Sequence, residues 1–366
     1  MTGAVFYEER MAKGSEMKYW NTRLKKAAEY IPGEQPQGLE DYIKLNTNEN
    51  PFPPSKAVLE AIKAAANESL KRYPDPAWRS LREAYGASRN LEPESIFVGN
   101  GSDEIFTLIF RGFIEPDGLA AFPYPSYALY STLAQMNGIR YDLVPLNKDF
   151  SYHMPLFLKK KYDLVIIANP NNPTGTYCEV SAIRAFLQKF KGLLVVDEAY
   201  VDFYGGSASE LTKDFDNVIV THSMSKSYSL AGLRIGFAVA SADIIRGLMK
   251  IKDSYNVDRI ATAGAIAALK DKRGFSYNIE MVVSNKGYLE ESLAALGFEI
   301  VPSRANFIFV RHPGVASSEL YERLKEKKIL VRHYTGPVQS DYVRISVGTM
   351  MEIKSLVREL AAITGA

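Results

Sequence analysis

The chain has 366 residues, 46% apolar and 23% charged, with 44 basic against 42 acidic side chains for a net charge of +2. This describes a folded soluble protein of about two domains and asks for neither nucleic acid nor an anionic membrane. Cys178 is the single cysteine and the four histidines lie far apart, which excludes an intramolecular disulfide, a thiolate zinc site and an HExxH centre. No apolar run approaches the ~18 residues of a membrane helix, no secretion signal opens the chain, and a reducing, cytoplasmic home is expected.

Taken in order, the first fifteen or so residues show no periodicity and read as a mobile arm. Asn50 to Pro54 is a proline-rich loop, and Ser55 is placed to cap a helix over Ala57–Leu70. Short apolar runs then alternate with helical patterns: SIFVGNG before DEIFTLIFRGFI, GLAAF before SYALYSTLAQM, DLVIIANP before SAIRAFLQKF, and then GLLVVDEAY and NVIVTHSMSK. Runs such as LVIIA and LLVV carry no polar alternation. They predict strands buried on both faces, hence a mostly parallel sheet sandwiched by helices. Asn169, Asp197 and Ser223 close three of these strands, at the carboxyl edge where such sheets bind ligands.

Past about Ile260 the texture changes. A helical pattern over Val282–Leu296 is followed by FEIV, NFIFV, a helix near Ser318–Lys327, ILVRHY, YVRISVG and a last helix. This predicts a smaller α+β domain. The expected division is an N-terminal segment, 1–50, packing with the small domain, a large domain, 51–258, and a small domain, 259–366.

Four stretches can carry chemistry. In GNGSDE, Gly99 and Gly101 follow a strand and precede a helix with Ser102 and Asp103 at its cap. Free N–H groups there can hold a phosphate, although an ordinary capped helix reads the same way, and the dinucleotide pattern fails at Glu104. NPNNPTG is a stiff loop that would position the Asn172 amide. Asp197 ends an apolar strand, where a carboxylate is expensive to bury unless a cation faces it, and Tyr200 follows three residues on. In SMSKSYSLAGLRIG, Lys226 is ringed by Ser223, Ser225 and Ser227, with Gly232, Arg234 and Gly236 behind. That puts an amine able to form a Schiff base beside donors suited to a phosphate. Together these pieces are what pyridoxal phosphate needs. Tyr127 is either an aromatic face for its ring or a core aromatic.

NPNNPTG, VVDEAY and SMSKSYSLAGLRIG, in this order, resemble the fold-type I aminotransferases of classes I and II. KLNTNENPFPPS, KRYPD, GNGSDE, SRANFIFV and YVRISVGT are similar to the histidinol-phosphate aminotransferases among them, over nearly the whole chain from Tyr30 to the last helix. The main departure is SMSK, where family members often carry a threonine or arginine and then a leucine in place of Ser223 and Met224. The resemblance implies that Lys226 holds the cofactor covalently and moves the proton, and that Asp197 pairs with the pyridine nitrogen. Asn172 and Tyr200 would hold the ring oxygen and Tyr127 would stack on the ring. Ser223, Ser225, Arg234 and the Ser102–Asp103 cap would hold the phosphate. Tyr73 would reach that phosphate from the neighbouring subunit of a homodimer. Tyr30, Asn48 and Asn50 would belong to the segment covering the substrate, and Arg332 and Arg344 would bind its anionic end. The implied reaction exchanges an amino group between L-histidinol phosphate and 2-oxoglutarate. The competing readings are an aromatic amino acid aminotransferase and a phosphothreonine decarboxylase.

Overall fold

The computed structural model of the chain describes residues 19–26 and 33–365; Tyr30 and the expected N-terminal arm lie outside them. The strands, in chain order, are β1 (Ile43–Lys44), β2 (Ile96–Asn100), β3 (Leu119–Tyr124), β4 (Arg140–Pro145), β5 (Leu164–Ala168), β6 (Leu193–Asp197) and β7 (Val218–Ser223). They continue with β8 (Ile235–Ala240), β9 (Glu299–Val301), β10 (Phe307–Arg311), β11 (Ile329–Leu330), β12 (Arg332–His333) and β13 (Val343–Ser346).

Seven of these form one sheet in the order β2-β8-β7-β6-β5-β3-β4. It is parallel throughout except for β8, which runs against both neighbours. Successive side chains of a strand point to opposite faces. Accordingly Leu164 and Ile166 join one apolar cluster with Phe106, Tyr130 and Phe237, while Val165 and Ile167 join another with Phe157, Ile183 and Phe186. Both clusters are capped by helices, so both residue sets must be apolar, which is why these strands show no alternation.

Two strands of this sheet escaped the sequence pattern, as did the two-residue β1. β4 is an edge strand, half-exposed along much of its length, so its polar residues hide it. β8 lies inside a stretch that stands out by its chemistry. The helix expected over Ala57–Leu70 runs over Lys56–Ala65 instead. Asn67 then accepts a bond from the Ser69 N–H and opens a separate 3-10 turn, Glu68–Lys71, the local competition by which asparagine ends helices. Ser55 stands at the N-cap but makes no capping bond. The pattern seen over Val282–Leu296 is the second half of a longer helix, Lys272–Ala295, begun by Asp271, whose carboxylate accepts from the Gly274 N–H.

The smaller unit is an antiparallel sheet in the order β12-β13-β10-β9, packed against the helices Lys272–Ala295, Ser317–Glu326 and Met350–Thr364. The last is opened by a Thr349/Glu352 capping box. ILVRHY divides into two strands: β11 pairs with β1 of the N-terminal segment, and β12 pairs with β13. The helix Arg259–Lys270 was not expected, and the expected boundary at 258 falls before it. Its Ala261, Ala265 and Ala268 pack into the core of the large sheet.

Candidate active site

The carboxyl ends of β5, β6 and β7 open into a cleft of about 690 Å³. Residues 46–49 of the N-terminal segment, Arg332, Tyr334 and Arg344 form its other wall. The apolar interior of each strand ends in polar groups here because the helices no longer cover the sheet edge.

Asp197, the last residue of β6, is buried. Its Oδ2 accepts from the Tyr130 hydroxyl at 2.6 Å and its Oδ1 from the Ala199 N–H at 3.3 Å and the Thr221 hydroxyl at 3.3 Å. Burial pushes its carboxyl up to about 6, against the pull of Tyr130 and Ala199. Among the described residues no cation pairs with it.

Lys226 sits in the turn that follows β7 and donates from Nζ to the Thr47 carbonyl at 3.0 Å. Burial, with Arg344 and Arg234 nearby, brings its amine down to about 8, while Glu49 opposes the shift. Tyr200 is buried, its ring T-shaped against Phe307 at 5.1 Å, and its hydroxyl accepts from Asn48 Nδ2 at 3.0 Å. Burial raises that hydroxyl well above the usual range. Tyr127 lines the cleft with its ring edge-on to Tyr130.

A second group gathers at the helix Gly101–Gly112. Ser102 and Asp103 stand in its first turn, and Arg234 donates to Asp103 Oδ2 at 3.1 Å. Two glycines make the approach possible. Gly101 has φ +76°, and a Cβ there would meet the Arg234 guanidinium at 2.6 Å; a Cβ on Gly236 would meet the Ser102 N–H nitrogen at 2.5 Å. Ser223 and Ser225 are buried alongside, with the Ser225 N–H donating to Ser223 Oγ.

Arg332 and Arg344 are register partners across β12 and β13. Directly opposed residues project from one face of a sheet, where like charges repel. Both line the cleft. Arg344 is buried, donating from Nη1 to Asn172 Oδ1 at 2.6 Å and from Nη2 to the Asn46 carbonyl at 2.7 Å, with its Nε left unbonded.

Of the residues singled out in the sequence, Ser102, Asp103, Tyr127, Asn172, Asp197, Tyr200, Ser223, Ser225, Lys226, Arg234, Asn48, Arg332 and Arg344 line this one cleft. Asn50 does not: its side chain turns to the main chain, donating to the Lys226 carbonyl at 3.0 Å. Tyr73 is elsewhere, 76% exposed and stacked on Tyr255 with centroids 4.2 Å apart. Sequence reasoning missed Tyr130, the Thr47 carbonyl, Asn46 and Thr221. Tyr130 stands three residues from Tyr127 in an aromatic-rich run and was findable by helical spacing; Asn46 and Thr47 lie in the KLNTNEN stretch beside Asn48, while Thr221, inside β7, carries no local signal.

A model of the family described as "Aminotransferase class I and II" matches residues 40–360. The chain belongs to that family. A histidinol-phosphate aminotransferase of Clostridium botulinum is 40% identical over 341 residues, 92% of this chain and 96% of that one. Histidinol-phosphate aminotransferase 1 of Oceanobacillus iheyensis is 41% identical over 349 residues, 94% of this chain and 97% of that one. The crystal structure of histidinol-phosphate aminotransferase from Sinorhizobium meliloti in complex with pyridoxal 5'-phosphate is similar with a TM-score of 0.88 at 26% identity, covering 96% and 99% of the two chains.

The donors of this aminotransferase fit pyridoxal phosphate. Serine hydroxyls, a guanidinium and the amino end of a twelve-residue helix meet where Gly101 and Gly236 let the Arg234 guanidinium and the helix main chain come close, a donor set suited to an anion. A buried acid without a cationic partner waits at the end of β6, and a lysine with a lowered proton affinity stands beside it in the same cleft. Among the described residues no cluster could hold a metal ion, and no helix is long and apolar enough to cross a membrane.

Proposed function

We propose that this chain is a pyridoxal-phosphate-dependent aminotransferase that exchanges an amino group between L-histidinol phosphate and 2-oxoglutarate, giving imidazole-acetol phosphate and L-glutamate, a step of histidine biosynthesis. The observation that carries the substrate is the Arg332–Arg344 pair facing one cleft, and the names of the 40%-identical relatives support it. When bound, the cofactor supplies an electron sink for the carbanion at the substrate's Cα.

The chain's own residues do the rest. Lys226 would hold the cofactor through its amine, and that amine, when free, would take the proton from the substrate's Cα and pass it to the cofactor side, the shift by which the amino group is transferred. Burial and the nearby guanidiniums lower the proton affinity of that amine, which favours the free base a proton acceptor needs. Asp197 keeps a proton on the ring nitrogen, and Tyr130 orients its carboxylate. Tyr200 and Asn172 hold the ring oxygen, and Tyr127 covers the ring face. The expected Ser102–Asp103 cap is instead part of the first turn of the helix Gly101–Gly112, whose N-cap is Asn100; the N–H groups of Ser102 and Asp103, with Ser223, Ser225 and Arg234, would hold the phosphate. Asn48 acts through Tyr200, and Asn50 through the Lys226 main chain.

At neutral pH a phosphate ester carries about two negative charges and can accept from both guanidiniums, which removes the like-charge conflict across β12 and β13. Histidinol phosphate offers that group and no carboxylate, whereas glutamate must reuse the site through its carboxylates. Arg332→Ala is therefore expected to cost the phosphorylated substrate roughly 2–4 kcal/mol in kcat/KM and glutamate less. Arg344→Ala should hurt both, since Arg344 also holds Asn172 and the Asn46 carbonyl. Half-reaction spectra with histidinol phosphate, phenylalanine and glutamate in turn measure this. Equal losses in Arg332→Ala, or dephosphorylated histidinol reacting as well as its ester, would move the assignment to an aromatic amino acid aminotransferase.

We further propose a homodimer in which Tyr73 completes the partner's phosphate site. Its support is an exposed, stacked aromatic pair, Tyr73 and Tyr255, lying outside the chain's own cleft. Mixing inactive Tyr73→Phe and Lys226→Ala subunits should restore activity, because one of the two sites in a heterodimer is then intact. A fully active Tyr73→Phe homodimer, or no recovery in the mixture, counts against a shared site. The lone buried Cys178 fits the reducing cytoplasm.

A further inference from the structure

Lys226 lies in a turn, residues 224–228, that belongs to neither strand nor helix. No ladder or helical hydrogen bond therefore fixes the direction in which its side chain leaves the backbone. The next residue, Ser227, is 1% exposed, and its hydroxyl donates to Asp202 Oδ2 at 2.5 Å. The other oxygen of the same carboxylate, Oδ1, accepts from Arg89 Nη2 at 2.5 Å. Burial alone would raise the Asp202 carboxyl, but Arg89 and Ser227 hold it below its ordinary range, so it stays an anion inside the protein. Arg89 comes from the last turn of the helix Arg79–Arg89. One turn earlier on the same helix face, the Tyr85 hydroxyl meets His222 Nδ1 at 2.5 Å, and His222 Nε2 meets Glu198 Oε2 at 2.8 Å. One helix thus reaches the neighbours in sequence of Ser223, Lys226 and Asp197.

A buried ion pair does little for net stability, because desolvation offsets its attraction. What Arg89 does do is lock the rotamer of Asp202, which gives the Ser227 hydroxyl an acceptor at a fixed place. Asn50 pins the same dipeptide from the other side, donating to the Lys226 carbonyl at 3.0 Å and the Ser227 carbonyl at 3.5 Å. We propose that the buried Arg89–Asp202 pair, acting through the Ser227 hydroxyl, is the positioning device that fixes the direction of the Lys226 side chain. The proposal rests on the reading of Lys226 as the lysine that holds the cofactor.

The test is the holoenzyme carrying Ser227→Ala, which removes the link but leaves the ion pair paired and adds no atoms. Misdirecting a catalytic group is expected to lower kcat about tenfold or more, with KM for glutamate within about twofold. The visible circular-dichroism band of the bound cofactor should change, while the melting curve should stay close to that of the parent. Ser227→Thr keeps the hydroxyl and should retain both the rate and the band. Parental kcat and an unchanged band in Ser227→Ala would overturn the proposal. So would a Ser227→Thr variant as impaired as Ser227→Ala, since space rather than the hydroxyl would then decide. Failure of the underlying reading shows separately, as a borohydride-fixed cofactor on a lysine other than Lys226.

Discussion

Lys226→Ala should lower the transamination rate by on the order of 10⁴-fold or more, because one change removes both the covalent anchor and the base that moves the proton at Cα. The fold should survive it. The amine donates to the Thr47 carbonyl, and its proton affinity is already reduced by burial and by the charges of Arg344 and Arg234. Deleting it leaves a space that opens to the cleft and no buried charge without a partner. Single-turnover spectra with glutamate measure the loss. In the parent protein, borohydride reduction followed by peptide mapping should place the cofactor on Lys226. A label on any other lysine, or a Lys226→Ala protein turning over within tenfold of the parent, would sink the assignment.

Asp197→Asn should fold, bind cofactor and lose about 10³-fold in rate, since an amide cannot keep the ring nitrogen protonated. The side chain keeps its size, so Tyr130 and Thr221 retain a neighbour in the same place. Near-parental transamination would show that the acid lies elsewhere. The cofactor-free protein offers a second measurement. Burial raises Asp197 from 3.8 to about 6, so between those values the folded state binds a proton that the unfolded chain has released. The apoprotein is therefore expected to lose stability as pH rises from about 4 through 6, by up to about 3 kcal/mol at 1.36 kcal/mol per unit. In Asp197→Asn that part of the pH dependence should vanish. Urea unfolding of the two apoproteins at pH 4 and pH 7 decides the matter: equal pH dependence would mean that Asp197 is not the buried acid responsible.

Much of this site was legible because its parts are local. A strand buried on both faces, followed by a polar residue, is written within ten residues, and Asn169, Asp197 and Ser223 could be placed at a sheet edge on that ground. The serines around Lys226 and the glycines before the phosphate helix are likewise sequence neighbours of the groups they serve. The large-sheet strands that went unseen, β4 and β8, are those whose pattern is set by an exposed edge or masked by a motif. The helix Arg259–Lys270 went unseen although it packs into the large core; its main partners, the helices Lys56–Ala65 and Arg79–Arg89, lie more than a hundred positions away.

What the sequence determined by itself was the two-unit α/β architecture, the motif order and the chemical kinds of group available. Only the tertiary structure decided which of them meet. That Arg332 and Arg344 stand directly opposite each other depends on the register of β12 against β13, where a slip of one residue would turn one arginine to the other face of the sheet. That Asp197 is held by Tyr130, that Asn50 serves the Lys226 main chain instead of the cleft, and that Arg89 reaches Ser227 through Asp202 are all contacts across elements. Such contacts come from close packing of surfaces far apart in the chain. Residue type states what a side chain can do; the packing of sheet, helices and small domain determines what it does it to.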